Sequence, residues 1–374
     1  MLTVKSYVVE NLGTKILKTE LSTISTRNKN HNKIKNKKKY NNNFENAMEE
    51  ELKPTLKNGH LDMPIPEGTD LKAEIARMKK EKNAVILAHY YTTAEVQEIA
   101  DYTGDSLGLS QQAAKTNADI IVFAGVHFMA ETAKVLSPNK KVLIPDLMTS
   151  CSLADSVNEK SLSEFIKKYP GHTVISYVNT TAEVKALTDI VVTSSNAVKI
   201  VSQLPEDEPI IFGPDRNLGN YVQKVTGRKN MVIWDGGCHV HDHFDAKKLA
   251  ELKQQHPAAK VLAHPECNET ILAQADVIGA TSALLKASQQ LPDTEFIVAT
   301  EPGIFYEMEK RSPGKKFIPV PNENGHPFNV CANMKRNNLR KIYLTLKYEF
   351  PEVDIPAELG EKAKVCIERM MAMS

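Results

Sequence analysis

Residues 92–101 read TTAEVQEIAD and residues 180–189 read TTAEVKALTD, with the same opening pentapeptide and the same closing Asp, 88 positions apart. The second stretch then runs into another match. Residues 189–205 (DIVVTSSNAVKIVSQLP) align without a gap on residues 276–292 (DVIGATSALLKASQQLP), at an offset of 87. Two offsets this close imply one unit repeated three times, over roughly residues 83–151, 172–238 and 259–331.

Working outward from the matched segments, short apolar runs alternate with helical stretches. Ala84–Ala88, Ile120–Ala124, Val142–Ile144, Val174–Tyr177, Ile190–Thr193, Ile210–Phe212, Met231–Trp234, Lys260–Ala263, Val277–Ala280, Phe296–Ala299 and Phe317–Val320 read as strands. They are brief, rich in β-branched residues and continuously apolar, as strands buried on both faces of a parallel sheet are. Helices between them make the pattern βαβ. The expected fold is α/β: three homologous domains with small parallel sheets around a pseudo-threefold axis. The boundaries read as 64–151, 152–238 and 239–331, with C-terminal helices over 335–374 packing on the first domain. A helix over Asp70–Lys82 opens the ordered part, near Pro64.

The charges nearly cancel, 47 basic against 46 acidic, but unevenly. Residues 1–43 hold ten Lys/Arg and two Asp/Glu, and Arg27–Asn43 is almost wholly Lys and Asn. Such a segment has nothing to bury, so residues 1–63 read as a disordered extension, with Met48 or Met63 as alternative starts. Its single Arg and many Asn fit an organellar transit peptide poorly. It has no aromatic interleaving, so nucleic acid is not an expected partner. No apolar run reaches membrane-spanning length, so no membrane partner is expected either. Five cysteines in 374 residues, none in a CxxC pair, exclude a disulfide-built domain. They point to a reducing compartment, read as cytoplasmic.

The repeats set polar residues in columns. After the first strand of each copy come His89, Tyr177 and His264, and two residues later Tyr91, Asn179 and Glu266. Asp101, Asp189 and Asp276 align before a strand, where turn chemistry accounts for them. Five residues on stand Ser106, Ser194 and Thr281, and each copy closes on a cysteine: Cys151, Cys238 and Cys331. Ligands of parallel α/β sheets bind beyond the carboxyl ends of the strands, so all three sets point at one centre.

Three converging thiolates can hold zinc or an iron–sulfur cluster. Cys267 and Cys366 have no repeat equivalents and read as core residues. The hydroxyls either cap their helices or, with the helix ends, bind carboxylate or phosphate oxygens. The His, Tyr and Glu columns supply general acids and bases. A zinc hydrolase built on Cys238, His239, His241 and His243 is one reading of this set, and a binding module without chemistry is another.

The chain from about residue 64 onward resembles the quinolinate synthase family. The motifs are LAHYY (87–91), GDSLGLS (104–110), PDLMTSCSLAD (145–155), YVNT (177–180), TSSNAVKIV (193–201), GPDRNLG (213–219), WDGGCHVH (234–241), HPEC (264–267), ATEPGIF (299–305) and CANMK (331–335). The resemblance implies condensation of iminoaspartate with dihydroxyacetone phosphate to quinolinate, with release of phosphate and water, in NAD biosynthesis. It implies one [4Fe–4S] cluster per chain, held by Cys151, Cys238 and Cys331 with one iron open. Tyr91, Tyr177, His264 and Glu266 take the catalytic positions. His89, Ser106, Asn179, Ser194, His239 and Thr281 take the substrate-binding ones. It further implies a functional link to an enzyme that makes iminoaspartate, and a monomer or homodimer. The chain departs from the family twice. Cys331 stands without the further cysteines that some members carry, and Ala280–Leu284 replaces the usual Ser-Thr-Ser-Gly-Met.

Overall fold

The computed structural model describes residues 54–374, so the Lys/Asn-rich stretch through residue 53 lies outside the described residues. The strands are β1 (Leu56–Lys57), β2 (His60–Leu61), β3 (Ala84–His89), β4 (Tyr102–Gly104), β5 (Ile120–Ala124), β6 (Lys141–Leu143) and β7 (Thr173–Tyr177). They continue with β8 (Ile190–Val192), β9 (Ile210–Gly213), β10 (Met231–Ile233), β11 (Lys260–Ala263), β12 (Val277–Ile278), β13 (Glu295–Ala299) and β14 (Lys316–Pro319). Twelve of these strands make three four-stranded parallel sheets with one topology. The orders are β4-β3-β5-β6, β8-β7-β9-β10 and β12-β11-β13-β14. The central pair sits in matching register each time: Ala84 faces Ile120, Thr173 faces Ile210, and Lys260 faces Phe296.

Every expected strand is present; β1 and β2 are additional, and so is β4. Its residues, Tyr102-Thr103-Gly104, carry no apolar run, and Tyr102 is exposed. The strand exists because it pairs with β3 as β8 pairs with β7 and β12 with β11. The aligned aspartates latch these pairs, a role beyond turn formation. Asp101 accepts the N–H of Ile86 (2.7 Å), Asp189 that of Val174 (2.8 Å) and Asp276 that of Val261 (2.8 Å). Each Asp returns its own N–H to the carbonyl of the same residue at 2.9 Å. A carboxylate is needed there because the N–H is buried and otherwise unpaired.

The described residues start ten positions before Pro64. Asn58 and Gly59 both have positive φ (51° and 82°) and form the tight turn between β1 and β2. An Asn-Gly pair is the preferred sequence for that turn. Leu61 and Met63 behind it are buried. The helix Leu71–Glu81 starts at Asp70, whose side chain takes the N–H of Ala73. It buries Ile75 and Met78 against the helix Leu339–Tyr348, through Ile342, Leu344 and Leu346. Each such side chain is worth about 1.5–3 kcal/mol when fully buried. The last helix, Ala357–Met373, buries Ala363, Cys366, Ile367 and Met370, one stripe at helical spacing. It lies against the helix Ala182–Lys185 and β8, and also against the helix His127–Leu136. Among the described residues no helix is long and apolar enough to cross a membrane.

Candidate active site

The three sheets deliver their first strands to a single cavity of about 670 Å³, mouth included. Every residue to which the resemblance gives a catalytic, binding or metal position lines it: His89, Tyr91, Ser106, Cys151, Tyr177, Asn179, Ser194, Cys238, His239, His264, Glu266, Thr281 and Cys331. These residues come from three parts of the chain and meet because each follows a strand or opens a helix at its carboxyl end.

The first column sets two imidazoles in one tautomer. The N–H of Tyr91 donates to Nδ1 of His89 (3.1 Å), and the N–H of Glu266 donates to Nδ1 of His264 (3.4 Å). With Nδ1 accepting, each ring carries its proton on Nε2. Burial pushes both below the ordinary imidazole value, His89 to about 4 and His264 to about 3. Both are therefore neutral Nε2–H donors at pH 7.

A hydrogen-bonded chain links the columns. The Tyr91 hydroxyl meets Thr281 Oγ1 at 2.8 Å and Thr300 Oγ1 at 2.7 Å. Thr300 reaches Nε2 of His241 at 2.9 Å, and Nδ1 of His241 meets Glu266 Oε2 at 3.0 Å. The other carboxylate oxygen of Glu266 accepts the Tyr177 hydroxyl, and Ser194 donates to that phenol. Two aligned hydroxyls and two tyrosines thus converge on one carboxylate, from opposite sides. Burial pushes the Glu266 carboxyl up, but the imidazoles of His264 and His241 and the Tyr177 hydroxyl outweigh it and hold it below the usual carboxylate range. Burial raises both phenols well above their ordinary value, so they are proton-bearing groups at rest. His241 stacks on His264 with ring centroids 4.3 Å apart, which fixes both planes.

The helix-start hydroxyls are free of capping duty. Asp105 caps the helix Ser106–Lys115 through the N–H of Gly108 (2.9 Å), while Thr281 bonds Tyr91. Asp105 also takes hydroxyl hydrogen bonds from Ser195 (3.0 Å) and Ser282, so one carboxylate ties helix starts from all three repeats. His239 stands exposed at the mouth, with Ser152 Oγ 3.2 Å from its Nδ1.

The cysteines fall into two groups. Cys151, Cys238 and Cys331 line the cavity, whereas Cys267 and Cys366 are fully buried in core clusters. Burial raises all three cavity thiols, Cys151 to about 12 and Cys331 to about 11, and Cys238 well above its usual value. Such thiols ionise only beside a strong positive charge, which a bound metal provides. Asn179 adds a buried amide whose Oδ1 has no protein partner and whose Nδ2 lies 3.9 Å from Cys151 Sγ. The donor chemistry fits a metal centre. A second grouping, Cys238, His241 and Glu266, holds its donor atoms within 4.8 Å.

The zinc-hydrolase arrangement is not formed. His243 is exposed and paired with Glu323 at 3.5 Å, outside the cavity, and His239 sits at the rim away from the buried His241. The alternation C-H-V-H-D-H sends successive side chains to different surroundings. Sequence reasoning missed Thr300 and Asp105 altogether and placed His241 only in the zinc set. Thr300 directly follows β13, the position that should have marked it.

Comparison with known proteins agrees with this geometry. The family model described as Quinolinate synthetase A protein (NadA) matches residues 73–372. A quinolinate synthase of Synechocystis sp. is 57% identical over 305 residues, 82% of this chain and 96% of that protein. One from Gloeothece citriformis is 55% identical over 82% of this chain and 94% of its own length. One from Trichodesmium erythraeum is 55% identical over 310 residues, 83% and 95% of the two chains. Identity at this level over nearly the full length of those proteins, joined to a cavity built from the family's motifs, means that this chain belongs to the quinolinate synthase family.

Proposed function

We propose that this chain is a quinolinate synthase that condenses iminoaspartate with dihydroxyacetone phosphate and releases phosphate and water. The observation that carries the reading is the convergence of all three repeat columns on one cavity. Cys151, Cys238 and Cys331 would hold a [4Fe–4S] cluster. When bound, it supplies an open iron as a Lewis acid for the dehydration that completes the ring.

The chain's own residues do the rest. The Nε2–H groups of His89 and His264 donate to substrate oxygens. Ser106, Ser194 and Thr281, at or just before helix starts, hold carboxylate or phosphate oxygens, where helix N–H groups favour negative charge. Glu266 takes a proton from carbon or nitrogen through Tyr177, whose hydroxyl already rests on its carboxylate. Glu266 passes the proton back by way of His241 and Thr300 to Tyr91, which delivers it to the substrate, so proton removal and delivery share one reservoir. His239 closes the mouth against water, and Asn179 directs its unpartnered amide at the substrate or the cluster. Small molecules are the partners of such a cavity, and the iminoaspartate among them is supplied by an enzyme that generates it.

The test is anaerobic purification, iron and sulfide analysis, and turnover with the two substrates. A brown protein with four irons per chain that forms quinolinate is expected. Colourless protein that makes no quinolinate after cluster reconstitution would overturn the reading.

A further inference from the structure

Lys185 is a fully buried cation and takes no part in the chemistry above. Its side chain is fully buried, and its ammonium donates to the carbonyls of Val178 (2.9 Å) and Thr180. Those two carbonyls flank Asn179. The repeat-equivalent residue, 88 positions earlier, is Gln97. Its Nε2 donates to the carbonyls of Tyr90 (2.9 Å) and Thr92 (3.0 Å), which flank Tyr91. Two repeats therefore clamp the same turn in the same way with different side chains. The third carries Leu272 at the aligned position. There the turn contains Pro265, whose ring restricts the backbone, and Asn217 donates to the carbonyl of Glu266 at 3.0 Å.

We propose that Lys185 is a positioning residue for the reaction: by binding the carbonyls on both sides of Asn179, it sets the direction in which the Asn179 amide enters the cavity. The inference rests on the proposed function for its kinetic consequence, though not for the clamp itself. A buried ammonium is expensive unless its hydrogen bonds are met, and an apolar side chain would fill the same space at lower cost. Burial lowers the Lys185 ammonium to about 8 although Glu131 opposes the shift, so the site retains a group whose charge it disfavours. The neighbouring turns show what is gained. Each fixes the second-column residue, Tyr91, Asn179 or Glu266, and small misplacements of such groups are costly in rate.

The test compares wild type, K185M and K185Q in the full chain. Amide exchange over residues 177–181 is measured without substrate, and kcat and KM are measured anaerobically with iron content as a control. K185M should exchange faster at 178–180 and lose about 10- to 100-fold in kcat/KM, with iron retained. K185Q, which installs the donor that serves the first repeat, should return both readings to within about threefold of wild type. If the two variants behave alike, whether both intact or both impaired, the clamp is refuted. If K185M does not fold, K185Q alone decides, since a loss beyond about threefold refutes it. Wild type that exchanges as expected but makes no quinolinate overturns the functional reading alone.

Discussion

At the scale of single residues, the site is a set of groups whose protonation is decided by burial and by their hydrogen-bond partners. Glu266 is the hub, because it accepts from Tyr177 and His241 on separate oxygens. Replacing it with Gln keeps the shape and removes the base, so E266Q should lower kcat by about 10²–10⁴ with folding intact, as measured by steady-state turnover and thermal melting. Y177F should fall in the same range, because it removes the phenol that rests on that carboxylate. The cysteines make a sharper division. C151A, C238A and C331A should each lose the iron and its visible absorption. C267A and C366A should keep both, since those thiols donate to the carbonyls of Ala299 (3.4 Å) and Lys185 (3.3 Å) within the core. Iron loss in either of the last two would overturn the ligand assignment.

At the scale of elements, each repeat is a four-stranded sheet whose outer strand is held by an aspartate instead of by length. β4, β8 and β12 are two or three residues long, too short to hold register by their own ladder. Removing the latch leaves a buried N–H unpaired, which costs about 1–3 kcal/mol. D189A should therefore lower the unfolding free energy from urea titration by that amount. D189N, which keeps an acceptor oxygen, should lose less. Equal losses in the two would mean that the carboxylate acts on something other than the Val174 N–H.

At the scale of the whole molecule, two features couple the repeats. Asp105 joins helix starts from all three, so D105A should weaken both stability and apparent substrate affinity, read as a lower melting temperature and a raised KM. The second feature is pH. The unfolded chain takes protons on its imidazoles below about pH 6.5, whereas the folded one refuses them until about 4 at His89 and about 3 at His264. The stability linked to these groups is thus complete above pH 6.5 and is lost as pH falls toward those values. Metal-free protein should lose about 1–3 kcal/mol between pH 7 and pH 5 in urea titrations. H89N should flatten that slope, and an unchanged slope would show that His89 is not the group responsible.

The repeat TTAEV…D, by itself, determined the architecture. Hydrophobic continuity marks parallel strands, and a duplicated pattern carries its fold with it, so the three sheets and the three residue columns were legible before any coordinates. So was the split of five cysteines into three at the cavity and two in the core, because only three share a repeat position. Only tertiary structure could decide what is not periodic. β4 has no apolar run and exists through pairing and the Asp101 latch, and the Asn58-Gly59 hairpin is hidden beside a Lys/Asn-rich stretch. Thr300, His241, Asp105 and Lys185 act through partners 25 to 209 positions away or through carbonyls, which no side-chain pattern displays. Local pattern records what a residue does to its own strand or helix. What it does to another repeat is settled only when three separate chain segments are brought to one point.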